Sequence, residues 1–275
     1  MPRIAPAVAL GIVLAACGGD GATTPEGGEP GDAGGTSGGG TTDGGGTTDA
    51  GTTPPPPSAA GWKSAFDAAG KGLRCAMTKA EMAGAPSLTF GDATIVVGFE
   101  QLGNNQDPLV VRFDGATQTY CQHHEREPPD GRALGISWDG GPVAYVVYTI
   151  VGGGSALDAA AKGGWLESYG RGGGPKVSVI GAIDTAKGTL TAATFVIAKK
   201  NDGGTNTHTP TSAPIRRDDG RIELRGSSAF QPVNPDRTPM TCTNYPFDTR
   251  YVFSADLRSL ECSSSTSCTA KTPCP

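Results

Sequence analysis

From about residue 90 onward the chain alternates short β-branched apolar runs with breaks rich in glycine and aspartate. Ala93–Gly98 (ATIVVG) and Leu109–Phe113 (LVVRF) read as strands, separated by the turn-rich LGNNQDP. The same reasoning predicts strands over Ala133–Trp138, Val143–Ile150, Val177–Ile183, Leu190–Ala198, Arg221–Arg225 and Arg250–Ser254. The breaks carry Asp114-Gly115, Asp130-Gly131, Asp139-Gly140 and Asp219-Gly220. Such pairs accept the positive φ angles of tight hairpin turns. Helix is minor: Ser155 stands at a capping position before Ala156–Lys162, with Gly163 closing it, and Trp62–Met82 has room for one or two more. The pattern predicts an all-β domain with a few short helices.

Before this domain the pattern changes twice. Met1–Cys17 (MPRIAPAVALGIVLAAC) places one basic residue, Arg3, ahead of an uncharged apolar run from Ile4 to Ala16. The run is shorter than the roughly 20 residues that a spanning helix needs and matches a removable export signal. Leu14-Ala15-Ala16-Cys17 resembles the lipobox of bacterial lipoproteins. That resemblance implies cleavage before Cys17 and lipid on its sulfur and new amino group, anchoring the chain to a membrane outside the cytoplasm. Gly18 rather than Asp after the cysteine favours the outer membrane. Residues 17–60 then form a tether of Gly, Thr, Asp and Pro without Lys, Arg or aromatic side chains. Too little apolar area is present there to offset the entropy of ordering. As a coil its roughly 43 residues average about 35 Å end to end. Residues 61–275 are left for the folded domain.

Charge narrows the function classes. The chain holds 22 Lys and Arg against 27 Asp and Glu. Setting aside Arg3 and the six acids of the tether leaves 21 of each in the domain. A balanced domain without basic clusters does not suit nucleic acid, where neutralising phosphates supplies most of the affinity. Of seven cysteines, six remain after Cys17: Cys75, Cys121, Cys242, Cys262, Cys268 and Cys274. In an exported domain an even set reads as three disulfides, with 15 possible pairings. Short loops favour Cys268 with Cys274 and Cys242 with Cys262. No C-x-x-C pair supports zinc.

A repeat is also visible. Val-Val-Arg-Phe-Asp114, Val-Ile-Gly-Ala-Ile-Asp184 and Val-Phe-Ser-Ala-Asp256 each end a strand in aspartate, 70 and 72 residues apart. Lys176–Lys200, with its I-D-T-A-K-G-T-L turn, is similar to the blades of bacterial surface β-propeller repeats. The resemblance implies a small irregular propeller; a β-sandwich or barrel uses the same strand and turn signals.

Chemistry is sparse. His123-His124-Glu125 offers two imidazoles and a carboxylate, but neighbours on a strand point to opposite faces and do not share a metal. Gly170–Pro175 lacks the Lys-Ser/Thr of a phosphate loop, and Ser155 lies outside a G-x-S-x-G elbow. Asn201–Asn206 lacks the acidic spacing of an EF-hand. No cofactor, metal site or catalytic residue is expected. Trp138, Trp165 and Tyr169 concentrate mid-chain and are the candidate ligand-binding surface for a glycan or protein. The sequence therefore points to a lipid-anchored binding module of the cell envelope. Two other readings stand beside it: a structural envelope protein, and a polysaccharide hydrolase using a carboxylate pair among Glu125, Glu127, Asp130 and Glu167.

Overall fold

Period-two alternation lets one strand serve two apolar layers, and the central strands of this chain do so. In Val143–Val151, Ala144, Val146, Tyr148 and Ile150 join one buried cluster while Tyr145 and Val147 join another. A computed structural model describes residues 60–125, 130–152, 155–170 and 176–275. The signal segment, Cys17 and the tether up to residue 59 lie outside the described residues, as does Glu127.

In chain order the strands are β1 (Lys63–Phe66), β2 (Ser87–Phe90), β3 (Ala93–Leu102), β4 (Asn105–Asp114), β5 (Thr117–His123), β6 (Gly131–Trp138), β7 (Val143–Val151), β8 (Lys176–Asp184) and β9 (Leu190–Val196). They continue with β10 (Ala198–Lys199), β11 (Thr205–Asn206), β12 (His208–Pro210), β13 (Ile215–Arg216), β14 (Ile222–Ser228), β15 (Thr241–Cys242), β16 (Phe247–Phe253), β17 (Leu260–Ser264) and β18 (Cys268–Thr269). Helix α1 spans Ser155–Ala160. The predicted all-β class is what the chain adopts.

Three antiparallel meanders follow one another. Sheet I is β2-β3-β4-β5; sheet II is β6-β7-β8-β9 with β1 added beside β6; sheet III is β12-β14-β16-β17, with β13 also on β14. Asp114, Asp184 and Asp256 each stand at the hairpin between the third and fourth strands of their sheet. The spacing seen in the sequence is therefore the length of one meander plus its connection. Sheet II is buried on both faces. Ile136, Val146 and Val179 pack with Ile95, Val97 and Val110 of sheet I, while Val147, Ile180 and Val196 pack with Leu224, Tyr251 and Phe253 of sheet III. The described sheets stack in layers, and none closes into a barrel.

Each outer sheet is tied on its outward face by a disulfide from its fourth strand. Cys121 of β5 bonds Cys75, whose segment packs Leu73 and Met82 over Val96, Leu109 and Val111. Cys262 of β17 bonds Cys274. Cys242 pairs with Cys268 across β15 and β18. The six cysteines do form three disulfides, but not Cys268–Cys274 or Cys242–Cys262. Strand register, not loop length, brings Cys242 opposite Cys268.

Two other expectations are corrected. Trp62–Met82 holds no helix; Lys63–Phe66 becomes an edge strand on β6, and turns follow. LGNNQDP is not a loop between strands, because β3 and β4 run through it to a two-residue turn at Gly103-Asn104, where Gly103 has φ +60°.

Between sheets II and III, His208 is fully buried, with Nδ1 2.7 Å from Ser178 Oγ and Nε2 2.8 Å from Thr249 Oγ1. Gly226 lets the ring sit there: a Cβ on it would lie 2.4 Å from His208 Cε1 and 2.8 Å from the Thr209 carbonyl. Gly226→Ala is expected to cost about 1–3 kcal/mol by overpacking. It should appear as a lower urea midpoint with an unchanged slope.

Candidate functional site

The three residues proposed from sequence as a ligand surface are core residues. Trp138 and Trp165 are 1% and 4% exposed, packing edge-on against Phe90 and Phe253. Their indole N–H groups donate to the carbonyls of Gly141 and Pro235. Tyr169 is buried in the cluster between sheets I and II. Large rings fill the space between layers, and the polar atoms find internal partners.

The histidines are built in as well. His124 Nε2 lies 2.7 Å from the Gly188 carbonyl, which only accepts, so this nitrogen carries the proton. Nδ1 then accepts from the Tyr148 hydroxyl at 2.7 Å. Burial lowers the His124 pKa to about 4, against the raising effect of the Gly188 hydrogen bond. With both nitrogens engaged and the ring neutral, His124 is a structural link between β5 and the β8–β9 hairpin. His123 faces the other way and pairs with Glu100 at 2.8 Å. Both histidines border a cleft of about 460 Å³ beside α1.

Of the carboxylates named for hydrolysis, Glu125, Asp130 and Glu167 are described. Glu125 is buried, Asp130 accepts from the Gln106 amide, and Glu167 accepts from the Gly163 amide. None of the three lines that cleft or the groove described next. In Asn201–Asn206, Asp202 accepts from the Gly204 amide as in an ordinary turn.

The outward face of sheet III is different. Ile222 and Leu224 of β14 point inward, so Glu223 and Arg225 point out. Register places Arg225 opposite Arg250 of β16, and Arg250 opposite Ser264 of β17. Two like charges directly opposite one another repel. Glu223 resolves this. One carboxylate oxygen accepts from Arg225 Nε at 2.8 Å; the other accepts from Arg250 Nε at 3.0 Å and from Arg217 Nη1 at 2.9 Å. Glu223 is 5% exposed. Burial pushes its pKa up, but the hydrogen bonds from Arg225, Arg250 and Arg217 together bring it below the usual carboxylate value.

Glu223 is thus shared by three guanidiniums, while Asp219 lies 3.4 Å from Arg217 Nε and Asp248 stands on the groove wall. Arg225 and Arg250 are both held through Nε. Arg225 is 59% exposed. One terminal nitrogen of Arg250 donates to the Pro275 oxygen at 2.6 Å. The pair lies in a groove of about 650 Å³ whose other walls include Asp248, Thr249, Ser264 and Thr266. Beyond its end, where Ser228 pairs with Phe247, Tyr245 and Phe230 are 69% and 46% exposed. The Tyr245 ring meets Phe247 edge-on at 5.9 Å.

Protein-family models, curated proteins and solved structures contain no match to this chain.

The groove therefore has to be read from its own chemistry. Paired guanidinium forks recognise carboxylate or sulfate in two-point fashion. Hydroxyls along one wall and exposed aromatic rings at one end suit sugar rings, which offer both polar edges and apolar faces. Sequence reasoning missed this site, although Ile222-Glu-Leu-Arg225 carried the alternation that puts both charges on one face.

Proposed function

We propose that this chain is a lipid-anchored envelope protein whose β domain binds an anionic glycan, one bearing uronate or sulfate groups, in the groove on sheet III. The observation that carries the reading is the Arg225–Arg250 row, oriented by a buried Glu223, with Arg225 well exposed to solvent. The anchor rests on the Cys17 lipobox and the tether, which allow the domain to work away from an outer-membrane surface. No described helix is long and apolar enough to cross a membrane. The architecture supports the same picture: three four-stranded meanders stacked face to face are how neighbouring propeller blades pack, and we read them as blade-like units.

The test is binding of the purified protein to a uronate polymer and to a neutral glucan of similar length. The uronate polymer is expected to bind and the glucan not. Arg225→Gln with Arg250→Gln should weaken binding by tenfold or more, since hydrogen bonds to charged groups each contribute about 1.5–3 kcal/mol. Binding should also fall steeply near 1 M salt, where the Debye length is about 3 Å. Equal binding of both polymers, or an unaffected double variant, would remove the groove from the account.

A further inference from the structure

The outward face of sheet I gathers a second set of reactive groups. Cys121 and His123 alternate along β5 and so share a face with Val96 and Glu100 of β3. The segment covering this face adds Cys75. A sulfur of Cys75, a ring nitrogen of His123 and a carboxylate oxygen of Glu100 all lie within 4.8 Å of one another, and Cys121 is bonded to Cys75. No other group of three such ligand atoms occurs among the described residues.

While the disulfide is intact, its sulfurs are poor ligands, because the thiolate is the form that binds metal. We propose that reduction of Cys75–Cys121 creates a zinc-type site from both thiolates, His123 and Glu100. The step balances with a dithiol as reductant: the S–S bond breaks, two electrons and two protons pass to the cysteines, and the dithiol closes to its own disulfide. Metal binding then displaces the two thiol protons. A tetrahedral site with metal–sulfur bonds near 2.3 Å and metal–nitrogen bonds near 2.0 Å separates its ligand atoms by roughly 3.3–3.8 Å. The existing atoms, within 4.8 Å of one another, need move by no more than about 1–1.5 Å to reach it.

Three features make the site workable. Cys75 is held in place without its disulfide, since the Leu73 amide donates to the Phe99 carbonyl at 2.7 Å and the Phe99 amide to the Lys71 carbonyl at 2.9 Å. Leu73 and Met82 also remain packed on the sheet. The ligands are sheltered, His123 and Glu100 side chains being 9% and 15% exposed. One of the four ligands, His123, also borders the cleft beside α1. The other two disulfides lack such neighbours, which makes them internal controls.

The experiment uses the full chain, oxidised or reduced with a dithiol that is removed without air before cobalt(II) or zinc(II) is added. The reduced protein should bind one cobalt per chain with thiolate-to-metal absorption, and the oxidised protein none. Loss of even an outer-shell partner weakens metal sites roughly 10–100-fold. His123→Gln and Glu100→Gln should therefore each weaken binding at least tenfold, whereas Cys262→Ala with Cys274→Ala should not. The proposal is overturned by a reduced wild type that takes up no metal, folded or unfolded. Equal uptake by the His123 and Glu100 variants overturns it as well.

Discussion

Lowering the pH from 7 to 5 is expected to destabilise the domain by about 4 kcal/mol, through two buried histidines. His124 and His208 are buried neutral, and burial lowers their pKa values to about 4 and about 3. In the unfolded chain each returns to about 6.5. Above pH 6.5 both states are neutral and the shift has no effect. Below it the unfolded state takes up protons that the folded state refuses, so stability falls with pH until the folded values are reached. Each histidine contributes up to about 1.4 kcal/mol per pH unit, or about 2 kcal/mol by pH 5. The groups facing them do not offset this: His124 meets Tyr148, the Gly188 carbonyl and His123, and His208 meets Ser178 and Thr249. Urea unfolding at pH 7, 6 and 5 checks it. The slope between pH 6 and 5 should approach two protons, and His208→Gln should remove about half of it. A flat profile would mean that water or a counter-charge reaches these rings.

How far the sequence reveals this molecule depends on the range of each signal. Strands whose apolar residues cluster were legible: β3, β4, β6, β7, β8, β9, β14 and β16 all fall on predicted runs. Edge strands were not. Ser87–Phe90, His208–Pro210 and Lys63–Phe66 are short and carry few apolar residues, and partners distant in sequence supply their order. The aspartate repeat was legible because each meander reuses the same hairpin. The face-to-face stack was not, because sidedness depends on which sheet covers which. That is also why the tryptophans were misassigned: exposure is a property of the second layer, and Trp165 is covered by Phe253 from nearly ninety residues away. The groove failed for a related reason. Alternation placed Glu223 and Arg225 on one face, but only register sets Arg250 beside them.

Glu223→Gln should be the most damaging single substitution on the open face of sheet III. Glutamine keeps the size and one oxygen, but its amide group would meet N–H donors where a carboxylate oxygen accepted from Arg250 and Arg217. Arg225 and Arg250 would then lose this counter-charge, and Arg217 would keep only Asp219. Breaking a buried ion pair from one side costs about 3–5 kcal/mol. Water reaches Arg225, so the lower end, about 3 kcal/mol, is the expected loss. The pH dependence identifies the cause. The folded pKa of Glu223 lies below its ordinary value, so its contribution is complete above the unfolded carboxylate range near 4.3 and is lost as pH falls through the folded value. Wild type and Glu223→Gln should therefore differ fully at pH 7 and converge below pH 4, beneath the histidine effect. Binding provides the second readout. Without Glu223 the arginines repel and lose their common orientation, so uronate affinity should fall at least tenfold even where the variant is folded. A destabilised variant with unchanged affinity would make Glu223 a brace of the sheet alone, and the arginine row would not depend on it for its recognition geometry.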